Sequence, residues 1–297
     1  MADSLPTHSS PSPTSSRNAS SSSSIRNAHP NETNNKNPST VILTRAYLAQ
    51  PISTRHASIL LLVCCLISGL TDSVAYNAWS TFISMQTGNT IFLGLGASNQ
   101  PLSKPYGWAK SLMSIGCFFI GCVCFSHGMR ALGAKGKTRR ALLASFSLQA
   151  GLMLAAAGLV QGKVVPVPMG TVLNNYVTAK DHGDPDFIEL LPIGLLAFQG
   201  GGQFVASRLL GFSEIPTVVL TSVYCDLGMD EKLLVKENDK RNHRVGAVVT
   251  ILLGAIAGGW ISRSEAGMAT AMWIAAVLKL GIAVAWAFWR KDDQEEG

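Results

Sequence analysis

Asp72 is an aspartate inside a run of apolar residues that begins near Ala57. A charge at membrane depth is expensive, so an intramembrane carboxylate reads by default as part of a site. Ser68, Asp72 and Tyr76 follow one another at i, i+4 and i+8 and share one helix face. The chain then breaks at Ser80-Thr81 and presents Thr87-Gly88-Asn89 before turning apolar again. A polar trio between two short apolar runs suits a broken helix whose freed backbone groups line a cavity. Farther along, Gln199, Gln203 and Ser207 repeat the spacing, and Thr221-Ser222 follows them. Asp72, Tyr76, Thr87, Asn89, Gln199, Gln203 and Thr221 are therefore the candidate path for a solute or ion. The competing reading is that such Gln and Ser side chains only join helices by hydrogen bonds. For Gln203 the two readings balance; for Asp72 the cost of the charge favours function.

Four more charged residues bear on that path. Lys279 lies near the middle of the last apolar segment and is a candidate charge partner for Asp72. Arg208 falls near a helix end, where a long side chain snorkels to the interface. Glu214 precedes Ile215-Pro216-Thr217, and Asp226 lies near the end of a short segment. Each either joins the site or is a solvated helix-end residue. His127 reads as an interfacial helix-end residue.

Enzyme chemistry is not expected. No Ser-His-Asp, H-E-x-x-H or G-x-S-x-G arrangement occurs, and no P-loop lysine follows Gly200-Gly201-Gly202. Cys64, Cys65, Cys117, Cys122, Cys124 and Cys225 all fall in apolar segments at spacings that fit no zinc site. No catalytic residue, metal or cofactor is assigned.

The elements that must position these residues are membrane spans. Only 14% of the 297 residues are charged, and 28 are glycine, mostly within apolar stretches. Apolar segments lie at 57–79, 82–98, 108–132, 140–161, 187–211, 215–229, 244–262 and 267–289. A span needs roughly 20 helical residues to cross a hydrocarbon core of about 30 Å. The second and sixth segments are short, polar-interrupted and equivalently placed in the two halves, a pointer to a transporter site. Gly69 and Asp72 stand ahead of the first short segment as Gly200 and Gln203 stand ahead of the second.

Basic residues decide the topology. If all eight segments spanned from a cytoplasmic N-terminus, Lys135, Lys137, Arg139 and Arg140 would lie outside, against the positive-inside rule. If the short segments dip in and return, Arg45, Arg55, that cluster, the 232–244 connector and Arg290-Lys291 all face the cytoplasm. The second arrangement predicts an all-α, multi-pass integral membrane protein. It has about six full spans, two re-entrant segments, both termini cytoplasmic, and two pseudo-repeated halves (57–161 and 187–289) of opposite orientation. The net charge of +6 resides mostly in short connectors, so nucleic acid is not an expected partner. The lipid bilayer is the expected partner. Gly254 and Gly258 form a GxxxG that serves helix packing or a homo-oligomer contact.

Residues 1–54 form a Ser/Asn-rich N-terminal tail expected to be disordered, the bias in composition being strongest through about residue 40. The membrane domain spans 55–291, and 292–297 is a short acidic tail. Asn18-Ala19-Ser20 and Asn31-Glu32-Thr33 fit the glycosylation triplet.

The chain resembles the YoaK-like family of membrane proteins, the domain of unknown function 1275. The resemblance rests on Gly69-Leu70-Thr71-Asp72, Thr87-Gly88-Asn89, the Gln203 segment, and Thr221 through Asp226-Leu227. It covers roughly residues 55 to 290. The second short segment departs from the family's Thr-Gly pattern in having Thr221-Ser222. The extension at Glu214-Ile215-Pro216-Thr217 and the Ser-rich tail look like those of a fungal-type member. The resemblance implies a polytopic membrane protein of unassigned activity. The expected function is a secondary transporter or carrier for a small solute, with the site around Asp72 and the Thr87-Gly88-Asn89 break. The alternative is a non-transporting membrane scaffold or assembly factor.

Overall fold

A computed structural model describes residues 44–100, 106–165, 187–264 and 267–291. Most of the tail, both glycosylation triplets, most of the 162–185 loop and the acidic 292–297 segment lie outside the described residues. The elements are α1 (Arg45–Leu48), α2 (Ala57–Trp79), α3 (Gln86–Ala97), α4 (Gly107–Leu132), α5 (Arg139–Gln161), α6 (Leu190–Leu210), α7 (Thr221–Gly228), α8 (Asp239–Arg263) and α9 (Gly267–Ala287). Among the described residues there is no β-strand, only isolated bridges at Pro51–Thr138 and Ile52–Lys291.

Six helices, α2, α4, α5, α6, α8 and α9, are long and apolar enough to cross a membrane. α3 has 12 residues and α7 has 8. At 1.5 Å per residue these reach roughly 18 and 12 Å, well short of a hydrocarbon core. Each break starts with a left-handed residue that ends the preceding span: Ser80 at φ 57° after α2, and Gly211 at φ 93° after α6. A left-handed residue turns the chain out of the helix. α5 and α8 start on side-chain caps, with Thr138 accepting from the Ala141 N–H and Asn238 from the Arg241 N–H.

Close contacts fix the direction of each helix. Leu62 meets Gly246, Gly69 meets Ile251, and Leu70 meets Gly258, so α2 and α8 run parallel. Met113 meets Gly194, Phe118 meets Gly201 and Phe125 meets Gly202, so α4 and α6 also run parallel. The pairs Gln161–Trp273, Gln149–Lys279 and Phe146–Trp286 make α5 and α9 antiparallel. Exchanging the two halves turns the α2/α8 contact into α6/α4, maps α5/α9 onto itself, and turns α5/α6 into α9/α2. All of these contacts are present. The fold is therefore an inverted repeat about a pseudo-twofold axis.

α2 and α6 are the most enclosed spans, while α4 and α8 are the most exposed to lipid. Both interfaces of the repeat are glycine seams. A Cβ added at Gly69 or Gly254 would run into backbone across the α2/α8 contact, and one at Gly121 or Gly201 would do so across α4/α6. Small residues let helix backbones come together, and dispersion between them holds spans that lipid cannot drive together. Gly254 and Gly258 are thus committed to packing within the chain.

One end of the bundle gathers the basic connectors. The Ile52 N–H donates to Lys137 O at 3.1 Å, Ser53 N–H to Arg290 O at 3.0 Å, and Arg139 N–H to Gln50 O at 3.2 Å. Residues before α2, the α4–α5 connector and the C-terminal end of α9 therefore share that end. An eight-span path would separate the first two. The segment 44–54, grouped with the tail by sequence, is structured: α1 forms there and Ile52 is buried. Apolar Ile52 gives this stretch something to dock, which the Ser/Asn-rich composition farther upstream lacks.

Candidate functional site

The first break is anchored by two buried side chains. Asp72 lies seven residues before the end of α2, roughly 10 Å along the axis. Its Oδ1 accepts from the Ile83 N–H at 2.7 Å and the Ser84 N–H at 2.9 Å, and the Ser84 hydroxyl donates to Oδ2 at 2.5 Å. Chain that leaves α2 at Ser80 therefore turns back into the bundle and is caught by a carboxylate two turns below. Backbone donors with no helical partner must be satisfied internally at this depth. Asn89, fully buried in the first turn of α3, completes the anchor. Its Oδ1 accepts from the Thr81 hydroxyl and the Phe82 N–H, both at 3.0 Å, and its Nδ2 donates to Phe82 O at 2.8 Å. The Ser114 hydroxyl on α4 donates to the same Phe82 O at 2.8 Å.

The second break enters from the opposite, basic end, because α6 stops and α8 starts there. Ser207 donates to Ile215 O at 2.5 Å, and the Thr217 backbone reaches Cys65 on α2. Cys65 and Asp72 are two turns apart, so the tips of the two breaks stand about 10 Å apart along one helix. A cavity of about 390 Å³ opens beside this stretch. It is lined by Ser68, Gly69, Asp72 and Tyr76 of α2, by Phe82 and Met85 of the first break, by Val218 and Leu220 of the second, and by α8. Tyr76 stacks on Phe82 with ring centroids 4.9 Å apart.

Ser68 links the cavity to a second polar group in the core. Gln203 Nε2 donates to Ser68 Oγ at 2.8 Å and to Cys64 O at 3.2 Å. The fully buried Lys279 ammonium donates to Gln203 Oε1 and, at 3.1 Å, to Gln149 Oε1, and it lies 5.6 Å from the Phe146 ring centroid. Gln149 in turn donates to Ser145 Oγ at 3.0 Å. Lys279 and Gln149 meet where α5 crosses α9, and Gln203 and Ser68 where α6 crosses α2; the repeat maps each of these helix pairs onto itself. Among the described residues no carboxylate is ion-paired with Lys279. The expected Asp72–Lys279 pair is not formed; amide oxygens and an aromatic face hold the ammonium instead.

The other sequence candidates separate into two groups. Gln199 is buried with its Oε1 unpartnered among the described residues. Thr87 and Thr221 are exposed at the starts of α3 and α7. Glu214 contacts His243 at 3.3 Å, and Asp226 pairs with Arg244 at 3.3 Å, both on the α6–α8 connector side. Arg208 lies over the Phe204 ring at 5.0 Å. Register also differs from the sequence reading. The glycine seams pair Gly69 with Gly201 and Leu66 with Phe198, so Asp72 corresponds to Phe204 and not to Gln203. Gln149, Ser84, Ser114 and Ser145 were not singled out by sequence. The Ser145/Gln149 pair at i, i+4 inside an apolar segment was the available signal.

Among the described residues no three His, Cys, Asp or Glu side chains come together, and all six cysteines are free. What the arrangement offers is a carboxylate-bearing chamber at membrane depth, walled in part by Tyr76 and Phe82 and reached by one re-entrant tip from each end. No curated protein matches the chain, and no solved structure does. The family described as protein of unknown function (DUF1275) matches residues 60–285, from within α2 to within α9, and the chain belongs to that family.

Proposed function

We propose that the protein is a secondary transporter or carrier for a small solute, bound in the chamber between Asp72, Tyr76 and the two re-entrant tips. One observation carries the reading: an inverted repeat brings two broken segments from opposite ends to a single cavity at mid-depth. Transporters of this architecture alternate by exchanging the conformations of their two halves around a fixed site. Each tip closes the chamber from one side, so opening one and then the other moves the solute. The positive-inside rule assigns the basic end to the cytoplasm, and with it both termini. A cysteine introduced at Lys135 is then labelled by an impermeant reagent only after permeabilisation; labelling in intact cells reverses the orientation.

A second reading, a non-transporting scaffold, draws on the fact that both Asp72 oxygens are spent on the first break. Flux decides between the two. Purified protein in proteoliposomes, given panels of small cations, anions and neutral solutes with and without a proton gradient, is expected to move one class above protein-free vesicles. Folded protein that moves none of them leaves the scaffold reading standing.

A further inference from the structure

At the basic end of the bundle, α4 and α6 finish side by side and leave a cavity of about 360 Å³ on the outer, lipid-facing side. His127, Arg130 and Arg208 line it together with the apolar Val123, Phe204 and Leu209. Arg130 and Arg208 each lie two residues before the end of their helices, so the two guanidinium groups reach the same level of the membrane. That level is where the hydrocarbon gives way to headgroups.

Arginines at a helix C-terminus complement the helix dipole, and snorkelling alone requires no ligand. Two features go beyond that. Among the described residues no carboxylate is ion-paired with His127, Arg130 or Arg208, although Arg244, at the same end, pairs with Asp226 and Asp230. Arg208 has five N–H donors; among the described residues one of them reaches Ser213 O at 3.4 Å, and the guanidinium carbon lies 5.0 Å from the Phe204 ring centroid. Below the cations the surface is apolar and open. Phe119, Ile120 and Val123 are all exposed along α4 and form a track at hydrocarbon depth.

We propose that this groove binds one anionic phospholipid, its phosphate held by Arg130 and Arg208 and an acyl chain laid along Phe119, Ile120 and Val123. Basic pockets between spans on the cytoplasmic side take phosphate-bearing headgroups in this way. Free phosphate has the charge but cannot use the apolar track. Phosphatidylcholine has the chains but presents no net negative charge to two guanidinium groups. The site lies on the α4/α6 surface, apart from the chamber beside α2 and α8, so it stands whether or not the protein carries a solute.

The test uses the full chain purified in detergent, titrated with phosphatidylglycerol or with phosphatidylcholine of identical acyl chains. Bound lipid is counted by native mass spectrometry, and the unfolding midpoint is followed in parallel. Phosphatidylglycerol is expected to bind in a one-to-one complex and raise the midpoint, with phosphatidylcholine and inorganic phosphate doing neither. Arg130→Gln and Arg208→Gln should each weaken binding roughly fivefold, and the pair roughly 25-fold. Val123→Trp, which obstructs the track and keeps both arginines, should weaken it too, and serves if the double variant does not fold. Equal binding of phosphatidylcholine overturns the proposal. A midpoint raised as much by inorganic phosphate shows a free-anion site and overturns the lipid assignment, and so do variants that bind like the parent.

Discussion

Between α2 and α3 the chain is held at membrane depth by buried polar side chains, whereas between α6 and α8 the polar contacts gather at the mouth. Asp72 and Asn89 together satisfy the backbone donors of Phe82, Ile83 and Ser84. The matching stretch of the second half has Phe204 where the first has Asp72, and its buried Thr217 leaves Oγ1 unpartnered among the described residues at φ 62°. At depth Ser207 donates to Ile215 O at 2.5 Å, while the charged links of this break lie outside the hydrocarbon: Glu214 with His243, Asp226 and Asp230 with Arg244, and Asn238 with Asp230. Two halves with the same fold therefore differ in how each break is fixed. The first tip is held at depth by Asp72 and Asn89; the second has fewer side chains on it there and carries ion pairs at its mouth. In a carrier this asymmetry makes the second tip the easier one to move, because fewer buried hydrogen bonds must break.

What the halves share should be the most sensitive to change. Gly69→Ala and Gly201→Ala each place a methyl against backbone across a parallel seam. Backbone cannot step aside as a side-chain end can, so each should cost about 3 kcal/mol or more. Both variants are expected to lose monodisperse protein in size-exclusion chromatography to a similar degree. A large loss in one and a mild loss in the other would break the symmetry of the seams.

The breaks themselves should respond unequally. Asp72→Ala strands two backbone N–H groups and a hydroxyl, at about 1–3 kcal/mol for each buried group left unpaired. Asp72→Asn keeps an oxygen for both N–H donors and turns its amide toward Ser84, so its loss should be smaller. On the other side, Thr217→Val removes a hydroxyl without a partner among the described residues and should leave stability within about 1 kcal/mol of the parent. The expected order of midpoints is Thr217→Val, then Asp72→Asn, then Asp72→Ala. If Thr217→Val falls as far as Asp72→Ala, the second tip is as tightly held as the first. Retained fold with lost flux in Asp72→Asn would give the carboxylate a role beyond anchoring.

These contrasts explain which parts were legible in the sequence. Six spans and two breaks follow from length and hydropathy, which depend on each segment by itself. The sharing of one end by the N-terminal lead and the 133–140 connector follows from where Lys and Arg fall. Asp72 was found because a carboxylate in an apolar run has few neutral explanations. Its partners were not found, since backbone N–H groups of Ile83 and Ser84 carry no sequence signal of their own. A lysine in an apolar run calls for an anion by charge alone, yet two amide oxygens on α5 and α6 fill that place for Lys279. The one-residue error in register has a similar origin. Polar residues on α2 and α6 look equivalent by type, while the true register is set by which glycine lets a backbone approach.

The smallest effect concerns the mouth of the second break. Asp230 is held below the ordinary carboxylate range, first by the Asn238 amide donating to it at 3.0 Å, then by the Lys232 N–H at 2.9 Å and by the Arg244 charge. A depressed carboxylate stabilises the fold above the unfolded value, near 3.9 for Asp, and that contribution fades as pH falls through the folded value. The protection factors of residues 229–238, taken against the intrinsic exchange rate at each pH, should therefore fall below about pH 4, while those of the buried first break hold. Asn238→Ser retains an oxygen to cap α8 and deletes the amide donor, so it raises the Asp230 value and moves the loss of protection to higher pH. If the parent and Asn238→Ser lose protection at the same pH, Asp230 does not tie the mouth. The fixed end of the second break would then have to be sought at the contact between Glu214 and His243.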